Sequence, residues 1–356
     1  MAVAPLELTL ELQPRSRFDA IDVRSRVSEV HGDILDAYTR CLYCSFHTTA
    51  GFFEQGLVAR LSQGQAGVSG FMEPFRTVFP EGAPYRHDAL NERTELSAAQ
   101  REVEPRNADS HLAFMASGLR NCVAYVNRPG RPVPFVDLDG MNAGRPRRRH
   151  TSIVGYTSEA EVERLRVEIP VSGHPIDSIN LRDPALGLYE RVSELIRRQG
   201  VAKGRLRIDL GPGERQAGLT VNEYETLLMR HDLRVVLRDP LRFMAEKGRH
   251  ALRDPRAIPT KTIGYATYDL VRALNQLVDA LGLKESLIER LMARAMAVPA
   301  ERFLRMKRSV SLLVSDRDTP GKGGIVEGTY QSPILVQWNR TPRQARQVVL
   351  TLSSFS

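Results

Sequence analysis

Periodicity in this 356-residue chain gives one order of elements twice: a strand, a helix, further strands, a second helix and a closing hairpin. Leu6-Glu7-Leu8-Thr9-Leu10-Glu11-Leu12 alternates as a half-buried strand does. A helix-like stretch follows over 20–30, and the Cys, Leu and aromatic residues of 41–46 suit a strand. A Pro- and Gly-rich region over 79–84, a polar segment, a helix over 110–118 and strands ending near 153–156 complete the first round. The second begins with a strand over 167–171, then a helix over 185–198 with Leu188, Val192, Leu195 and Ile196 on one face. Strands over 204–210, 309–314 and 348–352 and a helical stretch beginning near Asn222 finish it. Helical periodicity over 265–296 has no counterpart in the first half and reads as an insertion.

The expectation is an α+β chain of two tandem sandwich domains, mostly antiparallel strands with helices. The domains span 1–160 and 161–356, and the second carries the helical insertion near 240–298. Each is long enough to bury a core without metal or disulfide staples.

Composition narrows the class of protein. Hydrophobic residues are 42% and charged residues 26%, with no apolar run approaching a membrane span. The first residues lack the basic and apolar regions of an export signal. Three cysteines fit a reducing compartment, so a cytoplasmic location is expected. Cys41 and Cys44, three apart on a strand, face opposite sides and make no joint site. The net charge of +8 is concentrated partly in Arg145-Pro146-Arg147-Arg148-Arg149, which with no nucleic-acid motif beside it reads as a solvated linker. Gly211-Pro212-Gly213 lacks the Lys-Ser/Thr of a phosphate loop and reads as a turn.

Both halves carry short motifs in a common order. The first holds His47-Thr48-Thr49-Ala50-Gly51, Tyr85-Arg86-His87-Asp88 and Ser110-His111. The second holds Ala217-Gly218-Leu219-Thr220-Val221-Asn222-Glu223 and Gly328-Thr329-Tyr330-Gln331-Ser332. Together these resemble the signatures of the YjbQ family: His-Thr-Ser-Ala-Gly-Leu-Thr-Ile-Asn-Glu, Tyr-x-His-Asp, Ser-His and Gly-Thr-Trp-Gln-Gly. The losses are complementary. Gln55-Gly56 and Gly130–Pro134 replace the Asn-Glu pair and the Gly-Thr-Trp-Gln strand in the first half, while Glu214 and Glu301 replace the first histidine and the Ser-His pair in the second.

The resemblance implies small α+β domains that oligomerise; the lack of an apolar span leaves no membrane partner expected, and the lack of a nucleic-acid motif argues against that partner. The resemblance also implies a composite site. His47, His87, His111 and Glu223 would be catalytic, Asn222, Thr329 and Gln331 would bind substrate, and the three histidines would hold a divalent metal, zinc foremost. Asp88 is a lesser candidate that would orient His87, and for Asn222 and Glu223 a helix cap is the bland alternative. The implied activity is that of a secondary thiamine-phosphate synthase or another transferase, lyase or hydrolase acting on a small polar or phosphate-bearing metabolite. The alternative is a non-catalytic binding or assembly protein with a decayed site.

Overall fold

The computed structural model describes residues 3–61, 64–238 and 306–356. The expected helical insertion near 240–298 and the Pro299-Ala300-Glu301 motif position lie outside the described residues.

The first half forms β1 (Leu6–Leu12), β2 (Asp19–Asp22), α1 (Val23–His31), β3 (Arg40–Ser45), β4 (Ala50–Phe52), α2 (Gln55–Arg60), α3 (Gly64–Val78), α4 (Ala98–Val103), α5 (Ala108–Ser117), β5 (Cys122–Val126), β6 (Pro134–Asp137), the β7–β8 hairpin (Met141–Asn142, Arg145–Pro146) and β9 (Arg149–Tyr156). The second half forms β10 (Glu159–Pro170), β11 (Asp177–Asn180), α6 (Leu188–Gln199), β12 (Gly204–Leu210), β13 (Ala217–Asn222), α7 (Leu233–Arg238), β14 (Ser309–Ser315), β15 (Gly324–Val326), β16 (Ser332–Gln337) and β17 (Ala345–Phe355). The fold class is α+β.

Sheet order repeats between the halves. The larger sheets run β1-β9-β3-β5 and β10-β17-β12-β14-β15, and the smaller ones β2-β6-β4 and β11-β16-β13, with the pairings antiparallel. The repetition reaches single turns. Asp19 accepts the Arg15 N–H at 2.9 Å and the Ala20 N–H at 2.8 Å, while Asp177 accepts those of Ser172 and Ser178 at 2.9 Å each.

The elements follow from side-chain period. Along β12, Leu206, Ile208 and Leu210 point to the core while Arg205, Arg207 and Asp209 stand at its edge. On α6, Leu188, Val192, Leu195 and Ile196 are the buried face, and Gly200 ends the helix at φ 62, a left-handed conformation glycine adopts without a Cβ clash. Each buried leucine or isoleucine contributes roughly 1.5–3 kcal/mol by leaving water.

Three expectations change. Residues 20–22, expected to begin a helix, pair within β2, and α1 starts only after Asp22, whose carboxylate accepts the Arg24 N–H at 3.1 Å. Asn222 closes β13 instead of opening a helix. The arginine run is not a solvated linker: Arg145 lies in the hairpin, Arg147 pairs with Asp139, and Arg149, 1% exposed, is the first residue of β9.

The chain packs as two compact units. One contains Met1–Gln65, Gly118–Tyr224 and Met306–Ser356, and so holds the sheets of both halves; the other contains Ala66–Ser117 and Glu225–Arg305. Within the sheet-bearing unit each half has its own core, and a third apolar cluster joins them. In it Leu42, Cys44, Cys122, Val154 and Tyr156 of the first half meet Leu313, Val326 and Phe355 of the second. The Tyr156 and Phe355 rings stack there at 4.0 Å. Cys41 faces the first core and Cys44 this seam, the opposite orientations their spacing implies.

Candidate functional site

The candidate residues fall in both units, and each group has its own logic.

In the sheet-bearing unit, His47 lies in the tight turn joining β3 to β4. Ser45 Oγ organises that turn by donating to Ala50 O at 2.7 Å and accepting the His47 N–H at 3.3 Å. The His47 carbonyl accepts Asn121 Nδ2 at 2.6 Å and Gln331 Nε2 at 2.9 Å. Gln331 also donates to Ser45 O at 3.0 Å, and its Oε1 accepts the Gly328 N–H at 3.0 Å. Both ends of this buried amide are thus engaged by backbone. Gly328 lies so close that a Cβ there would collide with the Phe46 carbonyl, and Arg317 covers the Phe46 ring at 5.0 Å. The second half's Gly-Thr-Tyr-Gln motif therefore clips the first half's histidine turn, with Thr329 and Tyr330 exposed at its tip.

The His47 ring has a fixed role in this frame. Its Nε2 accepts the His150 N–H at 2.8 Å, which assigns the proton to Nδ1 and leaves the ring presenting a donor. The corresponding bond in the second half is made by Glu214, whose Oε1 accepts the Gln347 N–H at 2.9 Å. Glutamate thus performs at that position what histidine performs in the first half. Burial, followed by the charges of Arg149, Arg147 and His150, pushes the His47 pKa down to about 3. Beside it, Arg149 grips Asp137 through two bonds of 2.6 and 2.8 Å and Asp139 O at 2.5 Å, and Arg17 and Arg147 both pair with Asp139.

A ring neutral when folded but protonated when unfolded favours folding above the unfolded pKa near 6.5. That contribution falls away as pH drops from there toward 3. His47→Gln, which can accept the same N–H, is expected to reduce the loss of stability between pH 7 and pH 5 by at most about 2 kcal/mol. Urea melts of both proteins at the two pH values check this; parallel losses would contradict it.

In the other unit, His87 and His111 are both fully buried, with ring centroids 5.2 Å apart in edge-to-face contact. His111 sits on α5, its N–H bonded to Asn107 O at 3.1 Å. His87 lies in a turn whose N–H groups from Arg86 and His87 are accepted by Asp232 at 3.0 and 2.9 Å. Its Nδ1 is 2.9 Å from Glu225 Oε2, and its Nε2 is 3.4 Å from Asn107 Oδ1. Glu225 is itself fixed by the N–H groups of Leu227 and Leu228 at 2.7 and 2.8 Å. Burial works to raise its pKa, yet the bonds from His87, Leu227 and Leu228 outweigh burial and hold it below the usual carboxylate range.

Sequence reasoning identified both histidines and missed Glu225, Asp232 and Asn107, which orient them. The helix-cap role considered for Asn222 and Glu223 belongs to Glu225. Asn222, fully buried at the end of β13, turns its Oδ1 onto the Glu223 N–H at 2.8 Å. Asp88 does not orient His87 but accepts the Ala108 N–H at the start of α5, at 3.1 Å, and its pKa is pushed up to about 6, chiefly by burial. A carboxylate on Nδ1 is the arrangement by which outer carboxylates orient metal-binding imidazoles, with Nε2, here facing Asn107 Oδ1, as the nitrogen that would turn to an ion. His47 lacks this property, because its Nε2 lone pair is taken by backbone.

No protein-family description and no curated protein matches the chain. Among solved structures it is similar to a YbjQ-like protein of unknown function from Sulfolobus solfataricus, at 14% identity over 55% of this chain and 99% of that one, TM-score 0.28. A hypothetical protein from Aeropyrum pernix matches at 16% identity over 54% and 98%, TM-score 0.26. An uncharacterised conserved protein of the YjbQ family from Clostridium acetobutylicum matches at 15% over 52% and 98%, TM-score 0.26. About half of this chain spans nearly the whole of each. Among the described residues no helix is long and apolar enough to cross a membrane.

Proposed function

We propose that this YjbQ-like chain, with copies over 1–160 and 161–356, is an enzyme whose site draws residues from both copies and uses a divalent metal. The observation that carries this reading is the Glu225–His87 bond, which orients the His87 ring as an outer carboxylate orients a metal-binding imidazole, beside the His111 ring. By the motif resemblance Glu223, two residues before Glu225 in the chain, would supply a carboxylate to the ion, and zinc suits imidazole and carboxylate ligands. When bound, the metal would supply Lewis-acid chemistry or an activated water. His47, neutral and presenting Nδ1–H, would donate a hydrogen bond to a polar group of the substrate. Gln331 would act by holding the His47 turn in place, with Thr329 at the exposed tip meeting substrate and Asn222 fixing the start of the Glu223 segment.

The substrate class is a small polar or phosphate-bearing metabolite. A group-transfer reaction like thiamine-phosphate synthesis is the activity the motif resemblance suggests, in a cytoplasmic oligomer.

The test is metal content by elemental analysis of untagged protein, resupplied with zinc, manganese or iron. Near-stoichiometric metal in wild type and in His47→Gln, lost in His87→Ala and His111→Ala, is expected. Metal-free wild type after resupply, or full metal in the His87 and His111 variants, would overturn the metal reading and favour a binding or assembly protein.

A further inference from the structure

Cys44 on β3 and Cys122 on β5 face each other directly in the antiparallel register, with their sulfurs 3.1 Å apart. The next pair along, Ser45 and Asn121, shares the backbone bond Ser45 N–H to Asn121 O at 2.7 Å. Antiparallel pairs alternate, so the cysteines occupy the non-hydrogen-bonded position, where Cα atoms approach to about 4.5 Å. That spacing falls within the roughly 4.4–6.8 Å that a disulfide spans. Both side chains are buried in the seam between the two halves, and Cys41, the third cysteine, points into the other core.

We propose that Cys44 and Cys122 are a covalent modification site, forming an intrachain disulfide by exchange with a small disulfide of the glutathione class. One cysteine thiolate attacks the oxidant's S–S bond, forming a mixed disulfide and releasing one thiolate. The second cysteine thiolate attacks the protein sulfur of that bond and releases the other. The pair loses two electrons, the oxidant becomes two thiols, and the two cysteine protons pass to those thiolates through solvent.

The bond would join β3 immediately before Ser45, which organises the His47 turn, to β5 immediately after Asn121, which holds the His47 carbonyl. It would staple the two supports of the histidine together. Burial, with Cys122 alongside, pushes the Cys44 thiol up, so the folded pair exchanges slowly and the bond forms most readily while the strands are still opening and closing.

The full-length protein, refolded from urea in a reduced/oxidised glutathione buffer, is compared with protein refolded with reductant alone. The expected product is 2 Da lighter, yields a Cys44–Cys122 peptide on non-reducing digestion, and melts several degrees higher. Cys41→Ser should give the same product and Cys122→Ser none. Three free thiols in refolded wild type across the redox range, or a bridge that includes Cys41, would overturn the assignment. Wild type and Cys41→Ser suffice to decide it even if Cys122→Ser does not fold.

Discussion

Arg149→Ala is expected to lower the unfolding free energy by about 3–5 kcal/mol, because it leaves an acid with no exposed surface without its cation. Arg149 supplies two bonds to Asp137 and one to Asp139 O, and a methyl group replaces none of them. The deficit should depend on pH in a defined direction. Burial pushes the Asp137 carboxyl up, and the Arg149 charge is the main force pulling it back. Without that guanidinium the folded chain holds a proton on Asp137 that the unfolded chain gives up above about pH 4. The variant's deficit should therefore be largest near neutrality and shrink as pH falls toward 4. Urea melts of wild type and variant at pH 7 and pH 5 measure it. A deficit below 1 kcal/mol, or one that grows on acidification, would contradict the account. Pairing the change with Asp137→Leu, as Arg149→Met/Asp137→Leu, should recover part of the loss, since an apolar pair carries no stranded charge.

Glu225→Ala should have two separable effects. The carboxylate accepts two main-chain N–H groups and the His87 ring, so removing it costs about 1–2 kcal/mol for the cap and about 1–3 kcal/mol for the unsatisfied imidazole. If His87 binds metal through Nε2, affinity should also fall about ten- to a hundredfold through loss of the orienting partner. Glu225→Gln separates the two. Its amide oxygen can still accept from one side and restore part of the stability, while its NH2 faces an N–H donor on the other, and a neutral amide does not raise the ring's basicity, so affinity should remain low. Chemical denaturation and metal-competition titrations read the two arms. Wild-type affinity in both variants would remove Glu225 from the metal argument and leave it as a cap.

The elements best legible in the sequence were those whose period is set by one buried face. Strands β1 and β12 and helix α6 announce themselves because alternation or helical spacing is enforced at every position. Helix α3 was missed although Val68, Phe71, Met72 and Phe75 carry a helical stripe, because its glycines and Pro74 resemble loop chemistry when taken singly. The arginine run was misread for a related reason. A charge run usually reads as solvated, and what buries Arg149 is an aspartate twelve residues earlier on a different strand. The histidines were legible as motifs, but Glu225 lies 138 residues from His87 and Glu214 takes over a histidine's backbone bond. Neither relation has a local signature in the sequence.

The Gln331 clip also sets a timetable. The strands of the first large sheet are all complete by Tyr156, whereas the second side chain on the His47 carbonyl, beside Asn121, lies 284 residues downstream of it. At ribosomal rates of about 5–20 residues per second, roughly 15–60 s separate the synthesis of the histidine from that of the glutamine that secures it. A nascent chain thus carries a finished first sheet whose His47 turn is held by Ser45 and Asn121 alone for about half of its synthesis. Truncation between Tyr156 and Gln331 would leave the histidine in place and its clasp missing.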